Sequence, residues 1–289
     1  MKPRDNPAEF APLPQPTMPS DRLTLTAEAT QGSPWPGALA AHLREHAPPA
    51  AVLEGVAARL RARALASART HRDFKVTRRE DGTWQTLAQG VRMRQLYLDR
   101  QFSVEYLQLA AGAALPWHES DQAQEVLLLR GSLSWQNRPM RALGHGVRGS
   151  AQISVSATAD GAEVYLRRLR VEADALVAAE SHWWQQADGQ RVDDALDGPW
   201  SGEEAGMQIR PLAQTGAVAS MLIRLAPGAS APDHAHAIAE DCMMIEGELF
   251  LGDILLRAMD YQLAPTEAPH LNISSDTGAL FFVHGALPG

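Results

Sequence analysis

The chain repeats itself. A shift of 116 residues lays Val91–Gly131 on Met207–Gly247 without a gap and matches Arg94/Arg210, Leu96/Leu212, Leu109/Leu225, Ala110/Ala226, Gly112/Gly228, Ala113/Ala229, Pro116/Pro232, His118/His234, Ala123/Ala239 and Gly131/Gly247. Ten matches in 41 positions is modest identity, but the glycines and the proline fall where turns belong. A unit recurring at one fixed offset is expected to fold twice. After Phe74 the chain consists of short β-type runs such as SVEYLQLA, EVLLLR, SMLIRLA and CMMIEGELFLG, separated by Gly, Pro, Asp and Asn. Many short strands without intervening helices form sandwiches or barrels. An all-β architecture of two barrels is expected, over residues 76–190 and 191–289, and 289 residues exceed a typical domain of roughly 100–150.

The segment before the barrels reads differently. Residues 1–36 are rich in Pro, Ser and Thr with only short apolar stretches, which predicts a disordered tail. Residues 37–75 form a helical segment: Ala, Leu and Arg dominate, Leu53, Val56, Leu60 and Ala64 recur at helical spacing, and Pro48-Pro49 divides the stretch into two short helices. Between Arg59 and Arg79 the basic residues Arg59, Arg61, Arg63, Arg69, Arg72, Lys75, Arg78 and Arg79 face a single acid, Asp73. The simplest reading is a solvated helix face running into a strand; the alternative is a docking surface for an acidic partner. Trp183 and Trp184, between the repeats, are expected to plug the interface between the barrels.

Composition removes several function classes. A net charge of −8 and a pI of about 5.7 give no electrostatic grip on a phosphate backbone, so direct nucleic-acid binding is not expected. The single cysteine, Cys242, excludes an intrachain disulfide and a four-cysteine zinc knuckle, and fits a reducing compartment. The amino terminus lacks a basic region followed by an apolar run, and nowhere do eighteen apolar residues sit together. A cytoplasmic protein without a membrane segment is the expectation.

The chemistry is concentrated in the second repeat. Gly228, His234, His236, Glu240 and Gly247 lie at spacings that place ligands on one strand face: residues i and i+2 project together, and Glu240 follows at an even interval. His270 supplies a fourth ligand after another strand pair, in Met259-Asp260-(four residues)-Pro265-(four)-His270. Three imidazoles and a carboxylate suit zinc, iron, manganese, cobalt, copper or nickel. Zinc is the first choice, with iron, manganese and nickel open. Cys242 and Met244 share the inward parity of Glu240 and are read chiefly as core packing beside the cavity. In the first repeat the equivalent positions are His118, Ser120 and Gln124, with Ile153 near the offset position of His270, so no metal is expected there. Glu125, beside Gln124, is the one residue that could slip into a ligand place.

These motifs resemble the cupin superfamily, and the layout is similar to the ChrR-like cupin proteins: a helical amino-terminal segment, then G(V/M)-x-(I/M)-R-x-L, L-A-P-G, H-x-H, E-D and a second histidine, over residues 84–289. The resemblance implies two tandem jelly-roll barrels, a bicupin. Met259 and Glu267 stand where the second cupin motif has glycine, and Ser274 where it has asparagine; Glu267 is expected to be exposed. ChrR-like proteins are similar to the cupin half of anti-sigma factors, which hold a sigma factor through an amino-terminal zinc module of pattern His-x3-Cys-x2-Cys. The nearest stretch here, His42-Leu-Arg-Glu-His46-Ala-Pro-Pro49, lacks both cysteines. The resemblance implies a small-ligand or stress-sensing regulator with a sigma factor as partner. Related cupins with the same ligand set imply an alternative, a dioxygenase acting on small diketones or phenolic ketones, and a metabolite-binding protein without turnover is a third. Cupin strands often pair between subunits, so a homodimer is also expected.

Overall fold

The computed structural model describes residues 48–115, 123–149, 155–171, 176–202 and 206–287. The chain divides into two compact units, up to Ala68 and from Arg69 onward. The described part of the first unit is most of one helix, α1 (Ala50–Thr70), whose last two residues fall in the second unit; α1 begins directly after Pro48-Pro49, and the Pro49 carbonyl accepts from the amides of Val52 at 2.9 Å and Leu53 at 3.2 Å. Proline just before a helix leaves the carbonyl free to start the ladder. No α1 residue is buried, and Leu53 and Leu60 are 52% and 61% exposed. The tail and the expected helix before Pro48, with His42 and His46, lie outside the described residues.

The second unit begins with β1 (Lys75–Thr77). The first repeat follows as β2 (Trp84–Ala88), β3 (Val91–Leu98), β4 (Phe102–Leu109), β5 (Ala114–Leu115), β6 (Gln124–Trp135), β7 (Arg138–Arg141), β8 (His145–Arg148) and β9 (Val155–Leu169). A short helix, α2 (Ala178–Gln186), and β10 (Arg191–Val192) lead to β11 (Met207–Thr215), β12 (Val218–Leu225), β13 (Ser230–Ala231), β14 (His234–Ala235), β15 (Glu240–Leu251), β16 (Ile254–Arg257), β17 (Tyr261–Ala264), β18 (Pro269–His270), β19 (Ile273–Ser274) and β20 (Ala279–Ala286). The pairs β4/β12, β6/β15, β7/β16 and β8/β17 begin and end exactly 116 residues apart, so the duplication is one of structure as well as of sequence. It extends to backbone strain. Gly131 and Gly247 have φ of 79° and 73°, and a Cβ on either would overlap the carbonyl oxygen of Gly161 or Gly278 on the neighbouring strand. Only glycine tolerates both the left-handed conformation and that approach.

Each repeat closes its own nine-stranded antiparallel sheet, in the orders β10-β8-β6-β9-β4-β3-β2 and β1-β17-β15-β20-β12-β11 with short strands off the path. The repeats exchange their first strands. β1, ahead of the first barrel, pairs with β17 of the second, with Val76 opposite Gln262; β10, ahead of the second barrel, pairs with β8 of the first, with Arg191 opposite Gly146. Pairing therefore crosses the 190/191 boundary in both directions.

The central strands are buried on both faces. Along β15 the odd residues Met243 and Ile245 join Leu127, Leu129, Tyr165 and Phe282 in a core between the barrels, whereas Cys242 and Met244 point into the second barrel with Met221, Leu256 and Phe281. Strands covered on both sides read as nearly continuous apolar runs, as EVLLLR and CMMIEG do. Trp183 and Trp184 of α2 are 0% and 3% exposed and pack against Val147 and Leu169 of the first barrel and Ala213 and Val218 of the second, at the junction expected from sequence.

Candidate metal centre

Four side chains from three strands meet at one end of the second barrel. β14 carries His234 and is followed by His236; β18 pairs with β14, setting His270 directly opposite His234; Glu240 opens β15. Two backbone contacts tie these loops together: the Glu267 amide donates to the His236 carbonyl at 2.7 Å, and the Asn272 amide to Asp233 Oδ1 at 2.7 Å. Met259 and Glu267 hold φ of 72° and 62°, so both positions keep the left-handed turn that the cupin motif fills with glycine. Glu267 is exposed, as expected.

One ligand atom from each of His234, His236, Glu240 and His270 lies within 4.8 Å of the other three. His236 Nε2 is 2.7 Å and His270 Nε2 3.4 Å from the two oxygens of Glu240. Yet both nitrogens lack a well-aligned hydrogen bond among the described residues, because the side chains converge on a common point rather than pair. His234 Nδ1 donates to the Pro232 carbonyl at 2.8 Å, which leaves its Nε2 as the free nitrogen. Buried nitrogens aimed at one point beside a carboxylate are the donor set a divalent transition metal satisfies.

The electrostatics agree. Burial alone would raise the Glu240 pKa, but the close approach of His236 and the charges of His270, His236 and His234 hold it below the usual carboxylate range. Burial lowers the His270 pKa, reinforced by His234, His236 and His71 against the pull of Glu240, favouring the neutral imidazole that coordinates a metal. Cys242 is different: burial, with Glu240 and Asp241 nearby, pushes its thiol well up, so it stays protonated and packs as a small apolar side chain. The space for Glu240 depends on Gly285, where a Cβ would stand 3.0 Å from Glu240 Cγ and 3.1 Å from Oε2.

Behind the four residues lies a cavity of about 450 Å³, lined mainly by apolar side chains such as Met207, Met221, Leu249, Leu251 and Phe281. The first barrel differs at its counterpart. Trp135 stands at the position of Leu251 and Gly146 at that of Gln262, and a Cβ on Gly146 would fall inside the Trp135 ring. The indole, 3% exposed, takes the volume that stays open in the second barrel. His118, Ser120 and Ile153 lie outside the described residues, while Gln124 is fully buried at the place of Glu240.

Glu125 does not slip into that ligand place. It faces the barrel interface, where Oε1 lies 2.8 Å from His145 Nε2 and accepts from the Ser220 hydroxyl of the other barrel. Ser220 Oγ is 2.9 Å from His284 Nδ1, and His284 Nε2 is 3.1 Å from Glu180 Oε1 on α2. Arg167 lies 3.6 Å from Glu180 and 3.1 Å from Asp241, which accepts from Tyr261. Sequence reasoning missed this network, because Glu125, Arg167, Glu180, Ser220, Asp241 and His284 lie far apart in the chain and meet only where the two sheets pack. The signal was there: Glu125 and Asp241 occupy equivalent repeat positions next to the ligand place.

Residues 188–288 match the family model described as the ChrR cupin-like domain. No curated protein matches the chain. Among solved structures, a variant of the oxalate decarboxylase of Bacillus subtilis superposes with a TM-score of 0.54 at 15% identity, covering 73% of this chain and 77% of the other. A dioxygenase candidate from Nostoc punctiforme superposes with a TM-score of 0.57 at 13% identity, covering 73% and 81%. At such identities the likeness is one of fold. The decarboxylase is described as containing Mn(II) centres. Residues 188–288 thus match the ChrR cupin-like domain, and the chain as a whole shares the fold of these two solved structures.

Proposed function

We propose that the second barrel binds one divalent transition metal through His234, His236, Glu240 and His270, together with a small ligand in the cavity behind it, and that the chain acts as a ligand-responsive regulator of anti-sigma-factor type. The observation that carries the metal reading is the convergence of four ligand atoms within 4.8 Å, with the nitrogens of His236 and His270 otherwise unpartnered among the described residues. Zinc is the first choice, because a sensor needs a stable site without redox turnover. When bound, the metal supplies a Lewis acid that attracts an oxygen of the ligand. The residues do the rest: Glu240 offsets the cation's charge, the His234–Pro232 hydrogen bond fixes one imidazole, and the apolar walls exclude water. The exposed α1, with Arg59, Arg61 and Arg69 on its surface, is the surface we assign to an acidic protein partner, a sigma factor by resemblance to the ChrR-like proteins.

The test mixes the zinc-loaded protein with each sigma factor encoded by the same genome and measures complex formation with and without metal. Formation of one stable complex supports regulation; no complex under either condition overturns it. A second reading, a dioxygenase for small diketones or phenolic ketones, is favoured by the apolar cavity against the metal ligands. Iron-loaded protein consuming dioxygen with a member of a diketone and hydroxyketone panel would establish it, and a wholly inactive panel would remove it.

A further inference from the structure

Apart from Asp233, which is exposed and accepts from the Asn272 amide, the cavity is lined by one polar side chain that the metal centre does not use. Gln262, on β17, is 0% exposed and lines the cavity, and neither its amide oxygen nor its amide nitrogen has a hydrogen-bond partner among the described residues. Its neighbours Tyr261 and Leu263 face the barrel interface, so strand alternation points Gln262 inward. It lies opposite Cys242, two residues beyond Glu240 on β15, which sets it roughly 6.5–7 Å along the strand from the level of the metal ligands. A buried amide left unpaired is destabilising unless something bound beside it supplies the missing partner. Its counterpart in the closed first barrel is Gly146, so the fold does not need an amide at this place.

We infer that Gln262 is the specificity-determining residue of the cavity, hydrogen-bonding the end of the ligand remote from the metal. This deepens the proposed function and rests on it. The ligand class follows from the walls. The head carries an oxygen that binds the metal; the body is apolar, to lie against Met221, Leu249, Leu251 and Phe281; the tail is a neutral hydroxyl, carbonyl or amide, which the amide of Gln262 can meet as donor or acceptor. A second carboxylate has no place there, because no lysine or arginine lines the cavity among the described residues. Dicarboxylates are therefore excluded, and an aromatic or branched molecule with one metal-binding head and one neutral polar tail fits.

The test uses zinc-loaded full-length protein and two probes, benzohydroxamic acid and 4-hydroxybenzohydroxamic acid, which share a metal-binding head and differ only in a distal hydroxyl. Calorimetry on the wild type is expected to give about tenfold tighter binding of the hydroxylated probe, the effect of one added hydrogen bond to a buried amide. In Gln262→Met, which keeps the volume, that ratio falls to about one while benzohydroxamic acid binds as before. The ligand-free variant melts at the same or a higher temperature, since an unpaired amide has been removed. An unchanged ratio in the variant overturns the inference and leaves the metal cavity standing. So does a ligand-free variant that fails to fold or melts more than about 3 °C lower, which would make the amide structural. Failure of both probes to bind the wild type overturns the cavity reading itself.

Discussion

Trp135 closes the first barrel only because residue 146 has no side chain, and a double-mutant cycle measures that dependence. A Cβ at 146 would lie within 2.8 Å of three indole carbons, against an ordinary contact of 3.4 Å or more, so the ring cannot stay where it is in Gly146→Gln. Overpacking of this kind costs about 1–3 kcal/mol. Trp135→Leu, the residue of the second repeat, removes a 3%-exposed indole and leaves a void, for about 2–4 kcal/mol. It also removes the contact with Arg191, whose guanidinium lies 5.4 Å from the ring centroid and reaches it from the exchanged strand β10. In the double variant the leucine makes room for the glutamine, recreating the Leu251/Gln262 pair of the second barrel. The account predicts that the double loses at least about 1 kcal/mol less than the two singles together, measured by equilibrium urea unfolding of all four proteins. Additivity within about 0.5 kcal/mol would refute the claim that the indole fills the space that is open in the second barrel.

Three further outcomes are expected. Glu125 and Glu180 are held at about 2, where burial alone would raise them but His284, Arg167 and, for Glu125, His145 outweigh it. Their contribution, on the order of a few kcal/mol, is present above the ordinary 4.5 and disappears as pH falls toward 2, so unfolding free energy should drop across that window and Glu180→Gln should flatten the drop; an equally steep slope in the variant contradicts this. Gly285→Ala crowds Glu240 and should weaken zinc binding about tenfold in a chelator competition while far-ultraviolet circular dichroism stays unchanged; wild-type affinity would show that Glu240 is not confined there. Gly247→Ala should cost about 2–4 kcal/mol in urea unfolding, from a left-handed φ of 73° and overlap with the Gly278 carbonyl, and a loss under about 1 kcal/mol would show that the turn relaxes freely.

Some of this architecture was legible in the chain because it is local. The motif spacing brought His234, His236 and Glu240 together, although a bend at 237–238 and two strands, β14 and β15, place them rather than the single strand expected, and the offset of 116 read from the sequence is also the offset between β6 and β15. Other features depend on distant partners. The exchanged strands β1 and β10 have three and two residues, too short for a hydrophobic pattern, and their partners lie 186 and 45 residues away at Val76–Gln262 and Arg191–Gly146. Glu125, Arg167, Asp241 and His284 sit on strand faces that a single barrel would turn to water, and only the second sheet buries them. Leu53 and Leu60 show the reverse, a helical apolar spacing with no buried member. Gln262 carried no signal by itself; its meaning comes from the void beside it and from Gly146 at the equivalent place.

The central claim, a metal held by residues 234, 236, 240 and 270, is tested most directly by the metal content and X-ray absorption spectrum of protein purified from its own host. One transition metal per chain is expected, surrounded by three imidazole nitrogens and a carboxylate oxygen at about 2.0–2.2 Å, with both metal and signal lost in His236→Ala. Protein without stoichiometric metal, or a spectrum without imidazole scattering, would contradict it.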